Sequence, residues 1–199
     1  QFALGQSVPR TEDPRLLKGQ GRYIDDMRLP REAHAFFVRS SHGHGNIKAI
    51  DARAAQQMPG VLGVFTGDDW VADGMGHFGL GQPRTTRSGE PGYCPPRPAL
   101  VQGKVLFAGD AVAIIVAESL NQAKDAAERM DMEIEPLGAL TVGSMARDDG
   151  APVLHADCPD NEAFFYQAGD KDAVEAALKS AHHVTHLRVV INRVTANTM

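Results

Sequence analysis

The run Ala111-Val112-Ala113-Ile114-Ile115-Val116-Ala117 is the longest apolar stretch in the chain and limits the fold more than any other feature. It is far short of the roughly 18 residues needed to cross a bilayer. Gly109-Asp110 precedes it and Ser119 follows. An unbroken apolar run of this length between turn signals reads as a strand buried on both faces. Such a strand needs packed layers around it. The 199 residues suffice for that, because a folded chain of this size buries roughly 70% of the surface its unfolded form exposes, without disulfides or a structural metal.

Around this strand the pattern predicts further elements. Ala33 to Arg39, Asn46 to Ile50, Val61 to Thr66 and Lys104 to Phe107 read as strands or ordered extended segments, and Asp51 is placed to cap a short helix ending before Pro59-Gly60. Ser119 caps a helix to about Arg129, with Ala123, Ala126, Ala127 and Met130 as its inward stripe. Met132 and Ile134 alternate with Glu133 and Glu135 as in a half-exposed strand. Pro136 to Gly150 is a connector. Asp170 caps another helix with Ala173, Val174, Ala177 and Leu178 on one face, and Val184 to Ile191 reads as a final strand. Residues 1–30 carry turn formers without periodicity, an extended arm rather than a helix. Residues 67–98, rich in Gly and Pro, read as one long irregular loop. The fold class is α+β, a mixed sheet with short packed helices.

Motif chemistry is sparse. Gly74-Met75-Gly76-His77-Phe78-Gly79 matches G-x-G-x-x-G, but Gly81 and Pro83 follow where a receiving helix is required, and Pro95-Pro96-Arg97-Pro98 stands where the acidic residue should be. His42 and His44 could face one way on an extended segment, yet no nearby Cys, Asp or Glu completes a ligand set, so hydrogen-bonded turn histidines are the simpler reading. His182 and His186 lack the Glu of H-E-x-x-H, and strand geometry from Val184 would part their rings by about 13 Å. Tyr93-Cys94-Pro95-Pro96 has only Arg97 as a cationic neighbour, so Cys94 reads as a structural thiol. No catalytic, cofactor-binding or metal residue is assigned.

The balance of 20 Lys+Arg against 25 Asp+Glu, a formal net charge of −5, denies the chain the cationic surface that a nucleic-acid partner needs. Cys94 and Cys158 form no C-x-x-C pair and read as free thiols of a reducing, cytoplasmic compartment. The start at Gln1 has no basic and apolar leader. With the abrupt end at Met199, it suggests a piece of a longer polypeptide or a trimmed subunit.

Several segments carry a resemblance. Val8-Pro9-Arg10, Glu12-Asp13-Pro14-Arg15-Leu16-Leu17 and Gly19-x-Gly21-Arg22-Tyr23-x-Asp25-Asp26 open it. Val38-Arg39-Ser40-x-His42-x-His44, Pro59-Gly60-Val61, Val64-Phe65-Thr66-Gly67-x-Asp69 and Gly109-Asp110-x-Val112 through Glu118 continue it. Gln122-Ala123-x-Asp125-Ala126-Ala127-Glu128 and Glu135-Pro136-Leu137 close it. In this order they resemble the start of the molybdenum-cofactor-binding large subunit of the xanthine dehydrogenase and aldehyde oxidase family, nearest in style to the aerobic carbon monoxide dehydrogenase large chain.

The resemblance implies an N-terminal α/β hammerhead domain over residues 31–183, an arm over 1–30, and a strand over 184–199 leading into a molybdenum-cofactor-binding domain beyond. It implies molybdopterin in the complete subunit, not bound by this stretch alone. It further implies water-derived hydroxylation of a small substrate, iron-sulfur clusters and FAD on partner subunits or domains, and an isolated stretch that is inactive. Asn192-Arg193 stands where the family commonly has Gln-Arg, and Ala111 replaces a common Pro. The alternatives are a stand-alone non-catalytic assembly or binding module, and a small metal protein using His42, His44 and a third histidine.

Overall fold

The computed structural model describes residues 4, 5, 7–79 and 84–191. The chain divides into two compact units, Gln1–Gln82 with Tyr93–Ala163, and Pro83–Gly92 with Phe164–Met199.

In the first unit six strands form two three-stranded sheets. One has β5 (Ala111–Ala117) between β1 (His34–Arg39) and β3 (Val61–Thr66), and the other has β2 (Gly45–Asp51) between β4 (Lys104–Val105) and β6 (Asp131–Pro136). Every pairing of these strands is antiparallel. The apolar run is therefore the central strand of its sheet, flanked on both edges. The α+β class with short packed helices is the one expected, with its strands distributed over two sheets.

Helix α4 (Leu120–Ala127) packs on β1, β5 and β3. Its Ala123 and Ala126 are fully buried, as are Ala55, Ala113, Ile115 and Ala117. Small side chains on both layers let the helix backbone come close to the sheet, so much of this core is alanine, with Ile115, Val112 and Val105 as its largest fully buried side chains. Ile47, Ile50, Met132 and Ile134 of the second sheet pack against the same core. Ser119 caps α4 by accepting from the Gln122 N–H at 3.3 Å. Ser119→Ala should cost about 1 kcal/mol, seen as a lower denaturant midpoint at unchanged slope.

The short helix expected after Asp51 is α2 (Arg53–Gln56), which stops short of Met58 and has Ala52 rather than Asp51 at its N-cap. Asp51 is the last residue of β2 and accepts from the Arg53 N–H at 3.0 Å, while the Arg53 guanidinium holds its carboxyl at about 2.

Three expectations are corrected. The arm is not free of helix: α1 (Asp13–Leu17) forms there, because Asp13 and Pro14 suit a first turn whose N–H groups lack partners, and Ile24–Asp26 makes a further single turn. The stretch 67–98 is not irregular throughout. It opens with α3 (Gly67–Ala72), where the Asp69 carboxylate accepts from the Thr66 N–H at 2.7 Å and the Thr66 hydroxyl at 2.8 Å. The strand at Val184–Ile191 does not form. A strand persists only where a neighbour takes its N–H and C=O groups, and the described ladders do not include these residues. Residues 192–199 lie outside the described part.

In the second unit Thr85 bridges both Pro91 and Phe165, and the Phe165 N–H donates to the Thr85 carbonyl at 2.9 Å. The guanidinium groups of Arg84 and Arg87 lie over the rings of Phe164 and Phe165, at 5.2 and 3.9 Å from the centroids. Asp170 caps α5 (Lys171–Ser180) through the Ala173 N–H at 2.9 Å, as expected. No residue of α5 is buried, and Val174 and Leu178 on its apolar face are more than half exposed.

Candidate functional site

The turn between β1 and β2 is tied down by backbone chemistry. Buried Ser40 donates its N–H to the Asp110 carbonyl at 2.8 Å, and its own carbonyl accepts from the Gly109 N–H at 2.7 Å. His44 is 4% exposed, and its Nδ1 lies 2.6 Å from the Gly138 carbonyl oxygen. A carbonyl only accepts, so Nδ1 carries the hydrogen and Nε2 is left as an acceptor. His42 Nδ1 and His44 Nε2 are buried without a partner among the described residues. Among those residues no group of three or more His, Cys, Asp or Glu side chains is arranged to hold a metal. Of the two turn histidines, His44 is hydrogen-bonded to the backbone through Nδ1, while His42 Nδ1 is not.

Asp110 is 6% exposed and accepts from the Leu106 N–H at 3.0 Å. Burial raises its carboxyl above the ordinary 3.8, against the backbone N–H groups of Leu106 and Ala111 and the charge of Arg39, which lower it. Folding therefore favours the protonated form. This group's contribution is present below the unfolded value and falls as pH rises from about 3.8 through the raised folded value. Asp110→Asn should remove that slope, so that urea midpoints of variant and parent diverge in the variant's favour as pH rises above the ordinary carboxylate value.

Asp110 also lines a groove of about 740 Å³ with Tyr93, Arg97, Lys104, Phe107 and His155. Its wall at 154–157 is set by Asn161, which stands at φ 56°. The Asn161 side chain accepts from the Leu154 N–H at 3.1 Å and donates to the carbonyls of Ala146 and Pro152, each at 2.9 Å. The Tyr93 and His155 rings meet in a tilted pair, 5.2 Å between centroids. Burial, then the charges of Lys104 and His44, push His155 down against Asp157. Burial, then Asp157, pushes the Tyr93 phenol up. Burial, then Asp160, pushes the neighbouring Cys158 thiol up. Imidazole, phenol and thiol are all uncharged near neutral pH, which suits a surface for packing better than one for nucleophilic attack.

The Gly74–Gly79 run leaves the C-terminal end of α3, with the Gly74 N–H donating to the Val71 carbonyl at 3.0 Å. That end carries the negative pole of the helix and repels phosphate, and residues 80–83 are outside the described part. His182 and His186 are exposed. Cys94 is exposed, where a structural thiol would be covered, and Cys158 is buried. The groove was not visible beforehand because its two walls, 93–98 and 154–157, are some sixty residues apart in sequence; the nearest local hint was Gly109-Asp110.

Residues 18–138, more than half of the chain and ending just past β6, match the family model "Aldehyde oxidase and xanthine dehydrogenase, a/b hammerhead domain". The chain belongs to this family. Over 197 residues the hammerhead chain is 34% identical to the nicotine 6-hydroxylase large subunit of Paenarthrobacter nicotinovorans, covering 98% of itself and 23% of that protein. Over 203 residues it is 32% identical to the carbon monoxide dehydrogenase large chain of Afipia carboxidovorans, covering 96% and 24%. Its fold matches reconstituted CO dehydrogenase from Oligotropha carboxidovorans at a TM-score of 0.70 and 32% identity, covering 90% of this chain and 22% of that one. It matches quinoline 2-oxidoreductase from Pseudomonas putida 86 at 0.61 and 37%, covering 74% and 18%. The chain thus spans about a quarter of the length of these relatives. Among the described residues, no helix of this hammerhead chain is long and apolar enough to cross a membrane.

Proposed function

We propose that the chain is the N-terminal part of a molybdenum hydroxylase large subunit, where it supports the cofactor site and the subunit contacts. The observation that carries this is the collinear match of nearly the whole chain to about a quarter of two large subunits. In this reading the complete subunit hydroxylates a small substrate (an aldehyde, an N-heterocycle, a purine or carbon monoxide) with oxygen from water, and iron-sulfur and FAD partners take the electrons.

The residues present do not fit molybdopterin. His44 Nδ1 is committed to Gly138, the glycine run sits at a helix C-terminus, and among the described residues no third ligand joins His42 and His44. No step of the hydroxylation is routed through this chain, whose role is to wall and position. The boundaries at residues 30/31 and 183/184 belong to the same proposal.

The test compares the 199-residue chain with the complete complex. The complex should contain molybdenum, iron and FAD and turn over substrate, and the 199-residue chain should do neither. Hydroxylation by the short chain alone, or a complete complex free of those three, would overturn the reading.

A further inference from the structure

Helix α4 packs on the sheet of β1, β5 and β3. Under α4, Phe36, Ile115 and Val64 stand opposite one another across the three strands, and Ile115 and Val64 are buried. One residue along, Phe37, Ile114 and Phe65 form the corresponding row on the other face. Phe37 is 40% and Phe65 46% exposed. The next row is Ala35, Val116 and Gly63.

An antiparallel sheet with one face in water alternates apolar with polar residues along its strands. Here β5 does not alternate at all. A Cβ on Gly63 would meet the Phe65 ring at 2.9 Å, so that ring lies along its strand over Gly63. Arg39, the charged residue of β1 on this side, is drawn to the rim: its guanidinium lies 5.6 Å from the Phe37 centroid and donates to the Gly109 carbonyl at 2.8 Å. The centre of the face is apolar and uncharged. Surfaces of that composition belong to permanent contacts that resemble a core cut in half, while separable contacts are more polar.

We infer that this outer face is covered by the remaining length of the same polypeptide, so that β5 is buried on both sides in the complete subunit. The inference rests on the proposed function. Its occupant is argued from the permanent character of the face, and from the three quarters of the relatives' length that lies outside the match.

Thiol labelling tests it. Phe65→Cys, and separately Phe37→Cys, are made in a Cys94→Ser background, in the 199-residue chain and in the complete large subunit purified without other subunits. Modified peptides are read by mass spectrometry. Buried Cys158 reports an intact fold by staying unmodified, and Lys124→Cys on the exposed side of α4 is the control. The thiol at 65 or 37 should react at least about tenfold more slowly in the complete subunit, with 124 unchanged. Equal rates in both proteins would overturn the inference. So would protection that appears only when other subunits are added, or protection in the 199-residue chain that grows with its concentration. A complete complex without molybdenum, iron and FAD would instead sink the proposed function, whatever the labelling pattern.

Discussion

Gly67→Ala should destabilise the first unit by about 3 kcal/mol, at the upper end of what overpacking costs. Gly67 is buried at the start of α3, and a Cβ there meets the backbone of the facing segment, with the Val101 carbonyl carbon at 2.6 Å and the Gln102 nitrogen at 3.0 Å. The segment cannot retreat cheaply. The Val101 N–H is bonded to the Ala111 carbonyl of β5 at 2.9 Å, and the Gln102 side chain donates to Asp68 of α3 at 2.7 Å. Relief of the clash therefore strips a hydrogen bond from the edge of the core or shifts α3 as a body. At roughly 2–4 °C per kcal/mol for a chain of this size, the melting midpoint should fall by roughly 6–12 °C. Gly76→Ala is the control, since nothing lies within 4 Å of a Cβ there, and it should leave the midpoint within about 1 °C. Equal midpoints for the two variants would show that the 101–102 segment yields freely.

Legibility followed the range of the interactions involved. Elements whose signals lie within a few residues were readable: the run Ala111–Ala117, the Ser119 and Asp170 caps, and the alternation of Met132 and Ile134 with glutamates. Helix α3 carried a local signal too, the Thr66-x-x-Asp69 pair, but Gly67 between them and the glycines beyond pointed to a loop. Pro14 in the first turn of α1 was the corresponding signal in the arm. The division into two sheets was not readable, because pairing is decided by partners far apart, such as Gly45 with both Val105 and Pro136. The strand at Val184–Ile191 failed for the opposite reason: its pattern is present, and the described residues hold no partner for it. As for the candidate site, the groove and the burial of Asp110 depend on contacts that no spacing rule encodes.

Ile115→Ala and Ile114→Ala should behave as very different substitutions in the 199-residue chain, although the two isoleucines are neighbours on one strand. Ile115 is fully buried between α4 and the flanking strands. Its truncation leaves a cavity among alanines that have no longer side chains to fill it, and should cost about 2–5 kcal/mol. Ile114 points to the outer face between two half-exposed phenylalanines, so the same change removes apolar surface that water already reaches in part, at roughly 1 kcal/mol. Denaturant midpoints at unchanged slope measure both. In the complete subunit the outer face is covered on our inference, and the Ile114→Ala cost should rise toward that of Ile115→Ala. If it stays near roughly 1 kcal/mol there, β5 is a one-sided strand and its unbroken apolar sequence needs another cause.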